Sequence, residues 1–437
     1  MKQTLYRLHM LTSSLRIVGN AIESVALPWS LLDTTGSLVS IGGFALFTHL
    51  PWVILPPILG RTLDRTAKKV RLAFLALILQ AFLAVLIVPL SSNVWAFYLI
   101  VSAISALDIL HRYYGFSLVV SMTLDESELQ GLNAALASIG NGVSLVAFPL
   151  AGFLAYRFGI RAMFLDAVLL FLGALALVPY LNVEVRREGT TEMGEEKRLQ
   201  ISHRLVVGIL ASVLLFNFAV GSFRIFVFSA LRELAEGRVL YGLLQSITTA
   251  GSLVAMAGLT YLARRRLARL KQPLIFGMLL QSIALLIVGV PAVIALFPAV
   301  FILGFGGGLL NVSFSSLMQK FIPLESLGTA RGVFDALATL VIPLSQLDFC
   351  VADRRGHCNV EPLHGGFPYR GLCHPLLSLH RESPSVRLRR LAVMSSVTLP
   401  VVHDRYIPEI SPSIPNRTFR FLATSSLGFS LFLAWLK

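Results

Sequence analysis

The chain has 437 residues, 55% of them hydrophobic and only 14% charged, with a mean hydropathy of +0.75. A soluble domain carries about a quarter charged residues, so this composition excludes one and fits a polytopic membrane protein. The formal net charge of +14 raises nucleic acid as a partner, but its placement along the chain points to anionic membrane lipid instead.

A helix needs about 20 apolar residues to cross the hydrocarbon core. Ten such spans are predicted, roughly at 8–32, 38–59, 71–90, 95–120, 132–156, 161–181, 205–229, 239–262, 273–290 and 295–319. Lys2 and Arg7 lead into the first, which is too long for a signal peptide and has no small-residue cleavage site, so it is read as helix 1. It carries Arg16, Asn20 and Glu23 on nearly one face. Charge inside a bilayer is expensive and marks a functional candidate.

Between spans 2 and 3 runs Gly60-Arg61-Thr62-Leu63-Asp64-Arg65-Thr66-Ala67-Lys68-Lys69, a tight charged hairpin. Span 4 carries Asp108, His111 and Arg112. Asp108 and Arg112 are one turn apart, and the spacing predicts an ion pair within the helix. Span 5 contains Phe148-Pro149-Leu150-Ala151-Gly152. His49, Asp166 and Arg224 lie near span ends or stand alone and are left outside the candidate set. Residues 183–203, rich in Arg, Glu and Lys around Gly189-Thr190-Thr191, read as a flexible linker.

Beyond the linker the pattern repeats faintly. Arg7-Leu8 and Asn20 recur as Arg204-Leu205 and Asn217, and Gly60 recurs as Gly258 before a second basic loop, Arg264 to Lys271. Span 10 holds Gly306 to Gly308, then Asn311, Ser313 and Ser315; close packing is the expected role of these glycines. Loops 60–71, 183–203 and 264–271 are basic, whereas 33–38, 90–94 and 290–294 hold no Lys or Arg. This bias predicts a cytoplasmic N-terminus, with Arg157, Arg161, Arg232 and Arg238 as exceptions.

The Gly60 loop resembles the signature loop between helices 2 and 3 of the major facilitator superfamily, roughly G-x-x-x-D-[RK]-x-G-[RK]-[RK], with Ala67 in place of the second glycine. The resemblance covers roughly residues 5 to 346. It implies an all-α membrane protein of two pseudo-symmetric helical bundles, 1–182 and 204–346, with ten to eleven intact helices of an expected twelve. In that family helices 1, 4, 7 and 10 line the cavity, which makes Asn20, Glu23, Asp108, Arg112, Asn217 and Asn311 the proton-coupling and cavity set. Glu23 and Arg112 resemble the helix 1 acid and helix 4 arginine of proton-coupled drug exporters, although Gly115 comes one residue early for the helix 4 motif. Burial disfavours a charged carboxylate and a nearby cation favours it. Glu23 is therefore expected to take a proton from outside and lose it when the cavity turns inward.

Gly60, Asp64, Arg65, Lys68 and Lys69 form the gating loop, in which Asp64 is expected to sit against the N-terminal end of helix 11. Anchoring by positive charge explains the basic residues of that loop but gives no reason for Asp64. Pro149 and Gly152 resemble, incompletely, an antiporter element. Ala26-Leu27-Pro28-Trp29 fits the macrolide-efflux and enterobactin-exporter branch. The implied protein is a monomeric secondary exporter of amphipathic small molecules in the plasma membrane, with protons and anionic lipid as partners. It is no enzyme, has no cofactor or metal site, and does not bind nucleic acid. Two alternatives stay open: an importer of the same superfamily, and an inactive remnant.

After Gln346 the apolar pattern stops partway through the expected helix 11. All three cysteines and eight of the twenty prolines lie beyond this point, which decides that the tail is not more of the same. Three readings compete for residues 347–437: an out-of-frame stretch, an appended domain, and a metal-binding tail using Cys350, His357, Cys358, Cys373 and His374. The absence of a C-x-x-C pair weighs against metal, and the abrupt change favours the first reading.

Overall fold

Peptide groups inside a bilayer have no water to bond, so an apolar chain closes its hydrogen bonds within helices. The computed structural model describes residues 2–56, 58–59, 68–122, 126–183, 203–232, 234–264, 271–288, 293–321, 334 and 336–346. Within them run α1 (Lys2–Thr35), α2 (Leu38–Ile54), α3 (Lys69–Leu86), α4 (Val94–Met122), α5 (Glu126–Phe158) and α6 (Met163–Leu177). The second set is α7 (His203–Leu231), α8 (Gly237–Arg264), α9 (Lys271–Val288), α10 (Val293–Phe321) and α11 (Ala336–Gln346). Among the described residues, five segments are long and apolar enough to cross a membrane. Phe82, Trp95, Leu99, Phe153, Phe171, Phe276 and Ile294 are exposed, an apolar surface that a bilayer covers and water would not tolerate.

The helices pack as two bundles. In the first, α1 lies against α5 and α6, α3 against α4 and α6, and α2 against α4. In the second, α10 packs between α8 and α9. There α7 is tied to α11 by Asn217 Nδ2 donating to the Ala338 carbonyl at 3.1 Å and Ser222 Oγ donating to the Ser345 carbonyl at 3.4 Å. The main seam between bundles is α5 on α8. A Cβ at Gly152 would come within 2.8 Å of the Arg238 carbonyl oxygen, and one at Gly242 within 3.0 Å of Gly152 Cα. Only glycine allows the two backbones to meet so closely. Ser246 Oγ adds a bond across the seam to the Leu145 carbonyl, 2.6 Å away.

One contact occurs in both bundles. Gln80 Nε2 of α3 donates to the Ile104 carbonyl of α4, and Gln281 Nε2 of α9 donates to the Leu303 carbonyl of α10, each at 3.2 Å.

Each of the ten predicted spans holds a helix among its described residues; α1 and α5 run past their predicted ends, and α3 stops at Leu86, short of the predicted residue 90. Gly60, Asp64 and Arg65 lie outside the described residues, as do residues 184–202 of the linker, the first turn expected for helix 11, and the tail from 347 onward. Lys69 departs from its expected place in the loop: it is the first residue of α3, with 3% of its surface exposed.

Candidate functional site: a buried charge cluster on α1, α4 and α6

Residues 16 and 23 stand two turns apart on α1, close enough for an extended arginine to reach along its own helix. Arg16 does so as a fork, with Nη1 donating to Glu23 Oε1 at 2.9 Å and Nη2 to Oε2 at 3.2 Å. Its Nε turns to α4 and donates to Asp108 Oδ1 at 3.0 Å. The Arg16 side chain is 5% exposed and its two partners 9–10%. Charges this deep persist only when paired and hydrogen-bonded, because desolvation otherwise costs several kcal/mol per ion.

The ion pair that the spacing predicts between Asp108 and Arg112 is present, long and on the exposed side of the site. Arg112 Nε is 3.7 Å from Asp108 Oδ2, its side chain is 61% exposed, and its guanidinium lies 5.1 Å from the Trp52 ring centroid. The buried partner of Asp108 is therefore Arg16, because the nearer and drier guanidinium wins. Of the other candidates, Asn20 is half-buried between Arg16 and Glu23, and Asn311 is exposed on α10. Asn217 places its amide against α11.

Asp166 belongs to the site although its position in the sequence argued against it. It is fully buried on α6, with its carboxyl group against Gly19 of α1, where any side chain would overlap Asp166 Oδ1. Neither of its oxygens receives a hydrogen bond from the described residues.

Toward the start of α1 the polar face continues. The His9 ring stands 6.1 Å from that of His111 and 5.8 Å edge-on to Tyr114. Gly115 makes room for His9, since a Cβ there would overlap the imidazole. Both His111 ring nitrogens are buried, with no hydrogen-bond partner among the described residues.

At the opposite end of α1 the bundles are latched. Arg238 Nη2 of α8 donates to both oxygens of Asp33, at 2.7 and 2.6 Å, and Nη1 donates to the Ala155 carbonyl of α5 at 3.1 Å. The same guanidinium lies 5.6 Å from the Trp29 ring centroid, and the Trp29 ring packs tilted against Phe228 of α7, centroids 4.5 Å apart. A cleft of about 630 Å³ opens beside them, lined by Leu32, Tyr156, Arg232 and Ala235 among others.

The sequence matches a family model described as Major Facilitator Superfamily over residues 10–345. No curated protein matches the chain. Among solved structures it is similar to the nucleoside transporter NupG, at 10% identity and a TM-score of 0.64, over 99% of this chain and 98% of that one. It is also similar to a bacterial homologue of the iron transporter ferroportin in an inward-facing state, at 16% identity and TM-score 0.61, covering 99% and 98%. A third is the POT family transporter PepTSo, at 12% identity and TM-score 0.60, covering 99% and 97%. At such identities the likeness establishes the fold alone.

Proposed function

The chain belongs to the major facilitator superfamily, and from that premise we propose a secondary active exporter that exchanges amphipathic small molecules for protons by alternating access. The carrying observation is the Arg16–Glu23–Asp108 cluster, three ionisable side chains held together inside a bundle. Intramembrane ionisable groups cost too much to be incidental and mark ion or proton pathways. The carboxyl groups of this site, Glu23 among them, take a proton on one side and lose it on the other. With the N-terminus cytoplasmic, the Arg238–Asp33 latch lies on the outer face, and the described arrangement is the outward-closed one. Rocking of one bundle against the other then requires this latch to open, with the Gly60 loop and Asp64 bracing the inner side in the opposite state. The protein works as a monomer in the plasma membrane, with its basic inner loops against anionic lipid.

The family match ends at residue 345, beside the break read at Gln346. That coincidence favours a second reading, in which residues 347–437 are out of frame and the chain is an inactive remnant.

Reconstitution into vesicles with an imposed pH gradient tests both, with ethidium as the amphipathic probe. Gradient-driven ethidium movement is expected for the wild type, with Glu23→Gln losing it and retaining probe exchange. Unaltered gradient-driven transport in Glu23→Gln removes Glu23 from coupling. A wild type that moves ethidium under no condition favours the remnant. Accumulation of a nucleoside or peptide in its place points to an importer.

A further inference from the structure

Asp166 sits where α6 crosses α1, fully buried, and no described residue donates to either of its oxygens. A Cβ at Gly19 would overlap Asp166 Oδ1 and lie 3.5 Å from Arg16 Nη1, the atom that donates to Glu23 Oε1, so the Asp166 carboxyl group stands beside the Arg16–Glu23 fork. Both Glu23 oxygens already accept from Arg16, at 2.9 and 3.2 Å. Two ionised carboxylates can only accept, so their contact is repulsive unless one of them carries a proton. Pairs of this kind hold one proton between them because both cannot ionise at close range.

The charge count agrees. Asp166 stands beside the Arg16–Glu23 fork of α1, Asp108 joins from α4 through Arg16 Nε at 3.0 Å, and Arg112 reaches Asp108 at 3.7 Å from the surface. Three carboxylates against two guanidiniums leave one negative charge with no counterpart, and a single proton makes the set neutral. Other groups do not alter this balance. His9 and His111 lie further along α1 and α4 and pack on each other and on Tyr114. The charges of α3 sit at the far end of α6, where Arg71 Nε donates to the Leu181 carbonyl at 2.9 Å. The gap at Gly19 that admits the Asp166 carboxyl shows the site is built for it, since any side chain there would overlap Oδ1.

We propose that Asp166 and Glu23 share one exchangeable proton, and that Asp166 is the member that takes it up and gives it away. Glu23 is fixed by the Arg16 fork, whereas no described residue donates a bond that Asp166 would have to break. Uptake forms an O–H bond at an Asp166 oxygen with a proton from water on one face, and release returns that proton to water on the other. The role of this proton in coupling rests on the transport reading above; its presence does not.

Infrared difference spectroscopy on the full chain in lipid reads the proton directly. The wild type is expected to show a protonated carboxyl C=O band at neutral pH that shifts in heavy water. Asp166→Asn and Glu23→Gln should each lose it, because either leaves two carboxylates against two guanidiniums and removes the excess negative charge that the proton neutralises. Asp33→Asn, in the distant latch, should keep it. A wild type without the band, or a band surviving in Asp166→Asn, overturns the proposal. If Asp166→Asn does not fold, Glu23→Gln decides: loss of the band supports the pair, and survival overturns it. In the ethidium assay, Asp166→Asn is expected to cut gradient-driven movement at least tenfold while exchange continues; undiminished gradient-driven movement overturns Asp166 as the carrier. A wild type with the band but no gradient-driven movement supports the shared proton and sinks the transport reading.

Discussion

In the first bundle Gln80 ties α3 to α4, and in the second Gln281 ties α9 to α10, through residues 24 and 22 apart in sequence. On that shared scaffold the two bundles bury different things. The charged side chains buried among the described residues are Arg16, Glu23, Lys69, Asp108 and Asp166, all in the first bundle. The second buries Ser222, Ser229, Ser246, Gln281, Ser313, Ser345 and Gln346, every one of them neutral. A neutral bundle can move through a membrane cycle without any change of protonation, whereas the first must balance its charges in every state. Protonation is therefore expected to act on one bundle, and the other to follow as a packed body across the α5–α8 seam.

The harshest way to break this contrast is to remove the central cation. Arg16→Met leaves Glu23, Asp108 and Asp166 facing one another without their shared guanidinium. Breaking a buried ion pair by deleting one partner costs about 3–5 kcal/mol, so the thermal transition of the purified protein should fall sharply or the fold should be lost. Arg224→Met, at an exposed arginine of α7, should change stability by no more than about 0.5 kcal/mol. Equal effects from the two substitutions would end the claim that the bundles differ.

Next in size is the seam. A Cβ at Gly242 would overlap the Phe148 carbonyl oxygen, while one at Gly258 on the same helix meets nothing within 4 Å. Gly242→Ala should destabilise by about 1–3 kcal/mol through overpacking, with slower opening of the bundles. Gly258→Ala should stabilise by about 0.5–1 kcal/mol, since alanine loses less chain entropy in a helix. Melting curves of the two variants should move in opposite directions.

Much of this arrangement can be read from the residues alone, and the failures share one cause. The Arg16–Asn20–Glu23 face is visible because a helix repeats its faces at four and seven residues. The Asp108–Arg112 spacing, read by the same rule, gives the ion pair found at 3.7 Å but not the nearer, buried partner. Periodicity describes one helix, and Arg16 approaches Asp108 from 92 residues away. Asp166 was set aside as too near a span end. Its burial is decided by where α6 crosses α1 and by the missing side chain at Gly19, neither of which is a property of its own segment. Arg238 looked like a breach of the charge bias, and it is the arginine that latches α8 to Asp33 and α5. A polar residue's meaning in a membrane bundle is set by its neighbours on other helices, and those are what a linear reading lacks.

The latch offers a milder test. Its ion pair is partly exposed, with side-chain exposures of 22% for Arg238 and 51% for Asp33, and such pairs contribute about 0.2–1 kcal/mol. Arg238→Gln should therefore shift the balance between closed and open states by up to about fivefold. Spin-label distances between the α1–α2 and α7–α8 ends should lengthen in a larger share of molecules. An unchanged distribution would mean that the glycine seam alone holds this end shut.

The smallest expected effect is the most direct measure of kinship between the bundles. Gln80 and Gln281 each donate one hydrogen bond through Nε2, and each leaves Oε1 buried with no partner among the described residues. Replacing either by leucine removes a bond worth about 0.5–1.5 kcal/mol and also removes an acceptor whose burial is costly. The two contributions have opposite signs, so each variant should lie within about 1 kcal/mol of the wild type. The informative quantity is the difference between them. If the two helix pairs are copies of one unit, Gln80→Leu and Gln281→Leu should agree to within about 0.5 kcal/mol, and the double variant should equal their sum because the sites share no partner. A large effect at Gln80 with none at Gln281 would mean that the buried charges of the first bundle draw on this contact. The resemblance would then be one of geometry and not of energetics.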